Sequence, residues 1–599
     1  MRRRGAEKPE IKKLWDEDLS NIHLKKSKRK AVILATVICF GFAVISFRLV
    51  NLMVLNHKTL SQKASRQYDR VKTIKPYRGV VWDRNMKEMA VNIEADSLYA
   101  VPSKINDSRL LSSKLAPIIK ASAVDLDRKI LAKKKKGFIW LARKMDETAS
   151  ARVATLKDEM GIDTIDFFTE TRRHYPNGET ASHILGYANI DNRGLEGIEL
   201  KFDEYMKGED IEVTFKRDAL GNKMAEGTED PLPGNNLLLT IDENLQYVVE
   251  RELSAAMEEW KAKAAVAIMM DPMTGEILAL ANRPSYDPNF PAGVSGDKRR
   301  NRAITDMYEP GSTFKSFLAA AALEEKVVRI NEMFDVSKGS IVVGGKTIHD
   351  VHRHGVITFE EIIQKSSNVG AVKTGLRLGA TRYYDYMKKF GFGDKTGIDL
   401  PGEMGGILRR PQSWSGTSLA SLSFGQEIGV TPLQLLTGYA AIANGGVLMK
   451  PYVVSEIISP AGEVIKKFSP QAVRRVVSTD SAAKTRNMLK KVVEEGGTAR
   501  KAYIKGNLVA GKTGTAQMVD PATGRYSSNK FVSSFVGFVP ADNPAFALIV
   551  VVYEPVGGSY GGTVAAPVFR KISEHALTYL DVPMETDENH VLLVSDARK

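Results

Sequence analysis

Cysteine is almost absent from this sequence, because Cys39 is the one cysteine among 599 residues. A single cysteine excludes an intramolecular disulfide and a cysteine-based metal site, and it suits a protein whose bulk faces an oxidising compartment. The sequence also lacks internal repeats of the length found in solenoids and propellers. With 43% hydrophobic and 26% charged residues, it is typical of a globular protein with room for several domains.

Long apolar runs are scarce as well, and the one run of membrane-spanning length lies near the N-terminus. Residues 31–47 (AVILATVICFGFAVISF) carry no charge, and their number is close to the lower limit for a spanning helix. The basic stretch that ends at Lys30 is typical of a cytoplasmic flank. Because no small-residue cleavage site follows Phe47, we expect a retained anchor and not a cleaved signal peptide.

Motifs for nucleic-acid binding are missing, although the formal net charge is +14. The basic residues are spread out, with clusters at the N-terminus and at the four lysines of residues 133–136. We find neither zinc-ligand spacing nor an aromatic-rich RNA-binding motif, so we expect no nucleic-acid partner. The lysine run predicts a solvated loop, and the overall charge favours attraction to an anionic surface such as a bacterial envelope.

The chain divides by composition into five segments. Residues 51–236 alternate strand-like pieces with lysine-rich helical pieces and carry no recognisable chemistry, and Pro231-Leu232-Pro233-Gly234 ends them. We predict a cytoplasmic tail at 1–30, a transmembrane anchor at 31–50, a non-catalytic pedestal at 51–236, a catalytic domain at 237–581 and a frayed tail at 582–599. The protein would then be single-pass in the cell (inner) membrane, with the catalytic domain outside the cytoplasm.

The catalytic domain has strand patterns at both ends and helical patterns between them. Short apolar runs separated by turn residues predict strands at 237–241, 264–270, 276–282, 508–516, 531–539 and 545–553. The stretch from about 306 to 443 favours helices, and residues 564–580 predict a closing helix. We therefore predict an α+β fold, with one antiparallel sheet flanked by helices and an inserted helical subdomain.

The first candidate catalytic motif is Ser312-Thr313-Phe314-Lys315. Pro310-Gly311 before an apolar helical run places Ser312 near a helix N-terminus, where the positive end of the helix favours an oxyanion. Residues three apart share one face of a helix, so the hydroxyl of Ser312 and the amine of Lys315 can meet. Lys315 can activate the hydroxyl if burial or nearby cations lower its pKa. The same spacing occurs without the Pro-Gly entry at Ser27, Ser295, Ser481 and Ser527.

The second motif is Ser366-Ser367-Asn368, which precedes a helix rich in small residues. A second hydroxyl, Ser366, can relay a proton towards a leaving group, and Asn368 can hold a neighbouring amide. An ordinary helix cap explains the same residues. Ser527-Ser528-Asn529, in an expected hairpin loop, illustrates that alternative.

The third motif is Lys512-Thr513-Gly514-Thr515, in a strand-like segment. Lys512 and the hydroxyls of Thr513 and Thr515 can bind a carboxylate, and Gly514 would let a substrate backbone approach the strand. The backbone N–H groups of Thr515 and Ser312 can together form an oxyanion hole. A second Lys-Thr-Gly, at Lys373, lies in a helical context where that role is not available.

Ser-x-x-Lys, a Ser-x-Asn element and Lys-Thr-Gly in this order are the signature of penicillin-binding proteins and class A β-lactamases. The chain resembles a class B penicillin-binding protein over almost its whole length. No glycosyltransferase domain precedes the catalytic part, as one does in the bifunctional class A type. Met86 departs from the family's usual glycine after Asn85. The resemblance also rests on Arg78-Gly79-Val80-Val81-Trp82-Asp83-Arg84-Asn85, Arg173-His174-Tyr175-Pro176, Gly194-Leu195-Glu196-Gly197-Ile198-Glu199, Gly425-Gln426 and Val430-Thr431-Pro432-Leu433-Gln434.

The resemblance implies a peptidoglycan D,D-transpeptidase that binds penicillin and needs no cofactor or metal. Ser312 would attack a stem peptide ending in D-Ala-D-Ala, and an amine of a neighbouring stem would take the acyl group. The second motif and the Val430-Thr431-Pro432 segment look most like the septal, cell-division type. That type implies a polytopic glycan polymerase and other division proteins as partners.

Several alternatives remain open at this point. The enzyme could be of the elongation or sporulation type, or it could be a catalytically dispensable division scaffold. A D,D-carboxypeptidase or a β-lactamase would pass the acyl group to water. A class A lactamase has its water-activating glutamate on a loop between the second and third motifs, and Glu403 and Glu427 lie in that interval. The histidines His349, His352 and His354 lie close together in sequence, but no matching carboxylate set accompanies them, so we expect no metal site.

Overall fold

The computed structural model describes residues 10–60, 69–74, 76–209, 211–217, 223–224, 232–519 and 524–584. The chain divides into two compact units. One comprises Met1–Lys75 and Asp210–Pro231, and the other comprises Pro76–Glu209 and Leu232–Lys599. The second unit contains all the candidate catalytic residues.

The first unit contains a long helix, Glu10–Val50, which continues as a π-helical turn at Asn51–Leu55. The side chains from residue 26 to 50 are all exposed although most of them are apolar. The segment Lys26–Leu55 has a mean hydropathy of 2.3 over its most apolar window and is long enough to cross a membrane. The unit also contains an antiparallel sheet of Asp69–Ile74, Ile211–Arg217 and Lys223–Met224.

The core of the second unit is a five-stranded antiparallel sheet. Its order brings the first strands of the catalytic domain against the last, as the sequence predicts, and a strand of the third motif forms one edge. The strands Ala264–Met270 and Phe546–Tyr553 are buried along their whole length, because helices cover both faces. The sheet order is Ile277–Arg283, Ala264–Met270, Phe546–Tyr553, Tyr526–Val539 and Ala510–Val519.

Helices pack on both sides of this sheet and make up the inserted subdomain. The helix Pro432–Ala443 is buried along its whole length and begins with a capping box. The side chain of Thr431 accepts the backbone N–H of Gln434, and the side chain of Gln434 accepts the backbone N–H of Thr431. The helices of residues 243–579 are Glu243–Trp260, Gly296–Arg299, Arg302–Thr305, Lys315–Glu324, Phe359–Gln364, Asn368–Leu378, Ala380–Lys389, Ser418–Leu422, Pro432–Ala443, Thr479–Val493, Gly561–Val564 and Ala566–Tyr579.

The prediction of helices throughout residues 306–443 is wrong in its middle. Four short strands form there, and two of them make a hairpin whose turn is Gly344-Gly345. Both glycines have positive φ, 56° and 80°, which suits the tight turns that match strand twist. The β-branched residues on both sides of the two glycines favour strands over helix. The strands are Met333–Asp335, Ser340–Val343, Lys346–His349 and Val356–Thr358.

A second large sheet joins the pedestal to the catalytic region. The strand Asn236–Leu239, predicted at 237–241, forms here and not in the five-stranded sheet. It pairs in parallel with Val81–Trp82 and antiparallel with Val454–Ile458. The sheet continues through Glu88–Ala100, Ile139–Ala142 and Ile165–His174 on one side and ends at Val464–Lys467 on the other. Strands at 447–449 and 472–475 form a separate pair.

The remaining pedestal elements are short helices that cover this sheet. Met86, where the family usually has glycine, adopts φ +63°, the left-handed conformation that the turn requires. The lysine run of residues 133–136 is an exposed turn, as predicted. The pedestal helices are Ser108–Leu115, Ala123–Ala132, Glu147–Met160, Ser182–Leu185, Gly197–Lys201 and Asp203–Met206.

A buried ionic cluster holds three pedestal segments together. The carboxylate of Glu199 accepts from Arg78 Nε at 2.5 Å and from Arg173 Nε at 2.6 Å, and none of these three side chains is more than 3% exposed. Burial raises the pKa of Glu199, but the two guanidinium groups outweigh it, so the pKa lies below its ordinary value. A charged Glu199 therefore stabilises the fold only while both arginines accompany it.

Candidate active site

Ser312 lies in the first turn of a helix, where the sequence predicts it. A 3₁₀ turn at Gly311–Phe314 leads directly into the α-helix Lys315–Glu324. The Ser312 side chain is partly exposed, and its hydroxyl has no hydrogen-bond partner within the described part of the chain. The nearby backbone N–H groups belong to a first helical turn, which leaves them without partners inside the helix. The hydroxyl is therefore free to meet a substrate.

Glycines allow the close packing of the loop that carries Ser312. Gly311 has φ +57° and donates its N–H to the carbonyl of Gly425 at 3.0 Å. A Cβ on Gly311 would lie 3.0 Å from the Thr515 carbonyl oxygen, and a Cβ on Gly425 would lie 2.1 Å from the Gly311 carbonyl oxygen. The first motif is thus pressed against the third motif on one side and against Gly425 on the other.

Aromatic side chains fix the helix that follows Ser312. Phe314 and Phe317 pack against each other with ring centroids 5.3 Å apart, and each lies 4.9 Å from Phe392. The hydroxyl of Tyr439 donates to the Thr313 carbonyl oxygen at 2.8 Å. Such a well-packed first turn holds its backbone in one position, as an oxyanion-binding site requires.

Lys315 is fully buried and points towards the second motif. Its Nζ donates to the Ser366 carbonyl oxygen at 2.6 Å, to Asn368 Oδ1 at 2.8 Å and to Ser366 Oγ at 3.2 Å. Burial lowers the pKa of Lys315 to about 7, although the negative charge of Asp350 opposes this effect. We expected the amine to meet Ser312, but within the described residues its hydrogen bonds go to the second motif.

Ser366 lies between two buried lysines in a strained backbone conformation. Its Oγ accepts from Lys315 Nζ at 3.2 Å and from Lys512 Nζ at 3.0 Å. Its φ is +60°, which is uncommon for a residue with a side chain. Ser367 caps the helix Asn368–Leu378. The helix-cap explanation therefore applies to Ser367 and not to Ser366.

Asp350 anchors the second motif from the loop after the hairpin. Its carboxylate accepts from Ser367 Oγ at 2.8 Å, from the backbone N–H of Asn368 at 2.5 Å and from that of Val369 at 2.9 Å. Asn368 Nδ2 also donates to the His349 carbonyl oxygen at 2.9 Å. We did not predict a role for Asp350, because its distance in sequence from Ser366 gives no spacing signal.

Lys512 is also fully buried, on the edge strand Ala510–Val519. Burial, and then the positive charge of Lys315, lowers the pKa of Lys512 well below its ordinary value. Besides Ser366, its amine donates to Thr513 Oγ1 at 3.3 Å. An outer strand of a sheet can pair with an added extended peptide.

Gly514 and Thr515 have contacts that we did not predict. A Cβ on Gly514 would lie 2.4 Å from Ser534 Oγ and 2.9 Å from the Pro310 carbonyl oxygen. A glycine is needed at residue 514 because other parts of the protein pack closely against it. The sequence predicted a different reason for this glycine, the approach of a substrate backbone. Thr515 Oγ1 accepts the N–H of Gly561 at 3.2 Å.

The two glutamates of the lactamase alternative are both engaged elsewhere. Glu403 is buried, and it accepts the N–H and hydroxyl of Thr396 and the N–H of Gly397. Glu427 accepts from Arg409 and from Ser418 Oγ, at 2.6 Å each. These contacts give both carboxylates a structural role that needs no water.

The structure brings all three predicted motifs together at one edge of the five-stranded sheet, along the strand Ala510–Val519. Lys315, Ser366, Asn368, Lys512 and Thr513 form one connected hydrogen-bond network. Gly311 and Gly514 place Ser312 beside that network. A partly exposed hydroxyl, three residues before a buried lysine of lowered pKa, defines a serine acyltransferase type of site.

Comparison with known proteins identifies the family. The penicillin-binding protein transpeptidase domain matches residues 265–574, and the penicillin-binding protein dimerisation domain matches residues 73–239. Stage V sporulation protein D of Bacillus subtilis is 36% identical over 94% of this chain and 87% of its own. Peptidoglycan D,D-transpeptidase FtsI of Escherichia coli is 35% identical over 92% of each chain.

Solved structures agree with the sequence comparisons. Penicillin-binding protein 3 of Mycobacterium tuberculosis, complexed with aztreonam, superposes with a TM-score of 0.67 at 29% identity, over 86% of this chain and 98% of that one. The chain belongs to the class B penicillin-binding proteins, and it is a serine D-Ala-D-Ala transpeptidase. The predicted family, fold class and enzyme class are therefore confirmed.

Proposed function

We propose that this protein cross-links peptidoglycan stem peptides through an acyl-enzyme on Ser312. The observation that carries the proposal is the buried Lys315 amine, whose pKa of about 7 leaves much of it neutral at physiological pH. A neutral amine has two N–H groups and one lone pair, so it cannot donate to all three of its present acceptors. The freed lone pair can take the proton of Ser312.

The reaction proceeds in two acyl transfers. Ser312 Oγ attacks the carbonyl carbon of the penultimate D-Ala while its proton passes to Lys315, and the backbone N–H groups of Ser312 and Thr515 stabilise the oxyanion. The peptide bond breaks, and the amine of the terminal D-Ala leaves with a proton relayed through Ser366. An acceptor amine then attacks the ester, loses a proton to the same groups and releases Ser312.

The third motif holds the donor peptide in this proposal. Lys512 and the hydroxyls of Thr513 and Thr515 bind the terminal carboxylate, and the edge strand pairs with the peptide backbone. Asn368 holds a side-chain amide of the donor. The contact between Lys512 and Ser366 Oγ keeps the carboxylate site beside the proton relay.

The engagement of Glu403 and Glu427 supports transfer to an amine over transfer to water. A lactamase or carboxypeptidase needs a base that activates water, and both glutamates are occupied by backbone, hydroxyl or guanidinium donors. The intact, connected network also supports an active enzyme over a catalytically dispensable scaffold.

The cellular role in the proposal is septal cell-wall synthesis in cell division. The helix Lys26–Leu55 anchors the chain once in the cell (inner) membrane, with the basic flank in the cytoplasm and the catalytic domain outside. A polytopic glycan polymerase and other division proteins bind the anchor and the pedestal. The similarity to FtsI of E. coli supports this role. The similarity to Stage V sporulation protein D supports the alternative, a sporulation-type role.

The reaction is tested with the purified full chain, a pentapeptide donor and a labelled amine acceptor. We expect release of D-Ala and formation of a covalent donor–acceptor product, both lost in Ser312→Ala. Release of D-Ala without that product would make the protein a carboxypeptidase. Imaging a tagged protein in the source cell tests the cellular role, because enrichment along the side wall instead of at the septum would contradict it.

A further inference from the structure

Thr498 lies in a loop outside the three motifs and contacts the third motif. It follows the helix Thr479–Val493, and its Oγ1 lies 3.0 Å from Thr513 Oγ1. Thr513 is 8% exposed, whereas Thr498 is exposed at the surface. The two hydroxyls therefore share a hydrogen bond at the border between the protein interior and the cleft.

The loop that carries Thr498 is fixed by backbone contacts. The N–H of Ala499 donates to the Val492 carbonyl oxygen at 2.9 Å, and that of Gly497 donates to the Glu494 carbonyl oxygen at 3.1 Å. On the other side, a Cβ on Gly562 would lie 2.3 Å from the Thr498 carbonyl oxygen. These contacts set the backbone position of Thr498 before any substrate binds.

The same loop also contacts the helix that precedes the second motif. Gln364 Nε2 donates to the Glu495 carbonyl oxygen at 3.2 Å, and Gln364 ends the helix Phe359–Gln364 two residues before Ser366. The loop therefore touches the helix before the second motif at one end and the third motif itself at the other.

Either hydroxyl can donate in this contact, and the hydrogen-bond capacity of Thr513 decides what each direction leaves for the cleft. A threonine hydroxyl has one proton to donate and two lone pairs to accept with. Lys512 Nζ, 3.3 Å away, donates to one lone pair. If Thr498 donates to the other, the proton of Thr513 has no acceptor in this group and points to the cleft.

We propose that Thr498 is a positioning residue that orients the Thr513 hydroxyl as a donor to the carboxylate of the donor peptide. The inference rests on the proposed function, since it needs a carboxylate-bearing substrate at Thr513. Thr498 touches no reacting atom and acts through Thr513 alone. Its effect is therefore on recognition of the carboxylate and not on the chemistry at Ser312.

The test compares acylation of the full chain by benzylpenicillin and by its methyl ester, which lacks the carboxylate charge. Thr498→Val keeps the side-chain shape and removes the hydroxyl. We expect it to slow acylation by benzylpenicillin about three- to tenfold, the effect of one hydrogen bond, and to leave the rate with the ester nearly unchanged. Thr498→Ser keeps the hydroxyl and should restore the wild-type ratio of the two rates.

Thr485→Val is the matched control, because the buried Thr485 hydroxyl donates to the Ser481 carbonyl oxygen within the preceding helix. It should leave the ratio of rates as in the wild type. Equal losses with both probes in Thr498→Val would show a merely structural role and overturn the proposal, as would unchanged rates. Failure of the wild type itself to be acylated would instead overturn the proposed function.

Discussion

The amine of Lys315 lies 2.6 Å from the backbone carbonyl oxygen of Ser366, inside the protein and out of contact with water. This contact links the helix of the first motif to the strained turn of the second. The contact gives the amine a fixed position, and burial lowers its pKa to about 7. The first two predictions follow from it.

The rate of acylation should depend on the protonation of Lys315. Because burial lowers the pKa of Lys315 to about 7, the neutral, proton-accepting form grows as the pH rises through that value. We expect the second-order rate constant for benzylpenicillin to rise through about pH 7 and then level off. Lys315→Arg stays protonated and should not react at any of these pH values. A rate independent of pH across this range would contradict the role of Lys315 as base.

Asp350→Asn should move this pH dependence. The negative charge of Asp350 raises the pKa of Lys315 against the effect of burial, so its removal lets that pKa fall further. The midpoint of the acylation profile should then shift to lower pH. Asp146→Asn is the control, because Asp146 caps the helix Glu147–Met160 in the pedestal. The electrostatic account fails if the two variants have the same midpoint.

Gly514→Ala should loosen the contact between the first and third motifs. The added Cβ would lie 2.4 Å from Ser534 Oγ and 2.9 Å from the Pro310 carbonyl oxygen, an overpacking that costs about 1–3 kcal/mol. Acylation should slow, and thermal unfolding should occur at lower temperature. Gly137→Ala, where the new Cβ meets nothing within 4 Å, should leave both unchanged. Wild-type acylation by Gly514→Ala would show that the close approach is not needed.

Glu199→Gln should destabilise the pedestal strongly. The change leaves the buried guanidinium groups of Arg78 and Arg173 without a full countercharge, which costs about 3–5 kcal/mol. Denaturant unfolding measures this loss. Glu204→Gln is the matched control, because it breaks an exposed pair with Lys207 and such pairs contribute little. Similar losses in the two variants would mean that the buried cluster is not held by charge.

The placement of Ser312 and Lys315 within one helical turn was predictable from their spacing, whereas the hydrogen bonds of the Lys315 amine to the second motif were not. The strands 264–270 and 545–553 were also predictable, because their apolar runs are continuous. The network around Ser366 was harder to predict, because Lys512 and Asp350 come from different elements and only folding brings them together. Thr498 and the glycine-turned hairpin at residues 340–349 depend on tertiary packing and turn geometry, which motif spacing does not report.

The pedestal shows the same limit. Its motifs were visible as sequences, but their physical reason is the burial of Arg78, Arg173 and Glu199 together, across more than 100 residues of chain. Likewise, the strand Asn236–Leu239 was predicted from its apolar pattern, yet that pattern cannot tell which of two sheets it joins. A local pattern fixes the type of an element and leaves its partners open.

The most direct measurement of the central claim is mass spectrometry of the full chain after reaction with benzylpenicillin. We predict one covalent penicilloyl adduct, mapped by proteolysis to the peptide that contains Ser312, and no adduct in Ser312→Ala. Ser316→Ala, which alters a neighbouring hydroxyl bonded to Tyr439, should still form the adduct. An adduct on another residue, or full labelling of Ser312→Ala, would contradict Ser312 as the nucleophile.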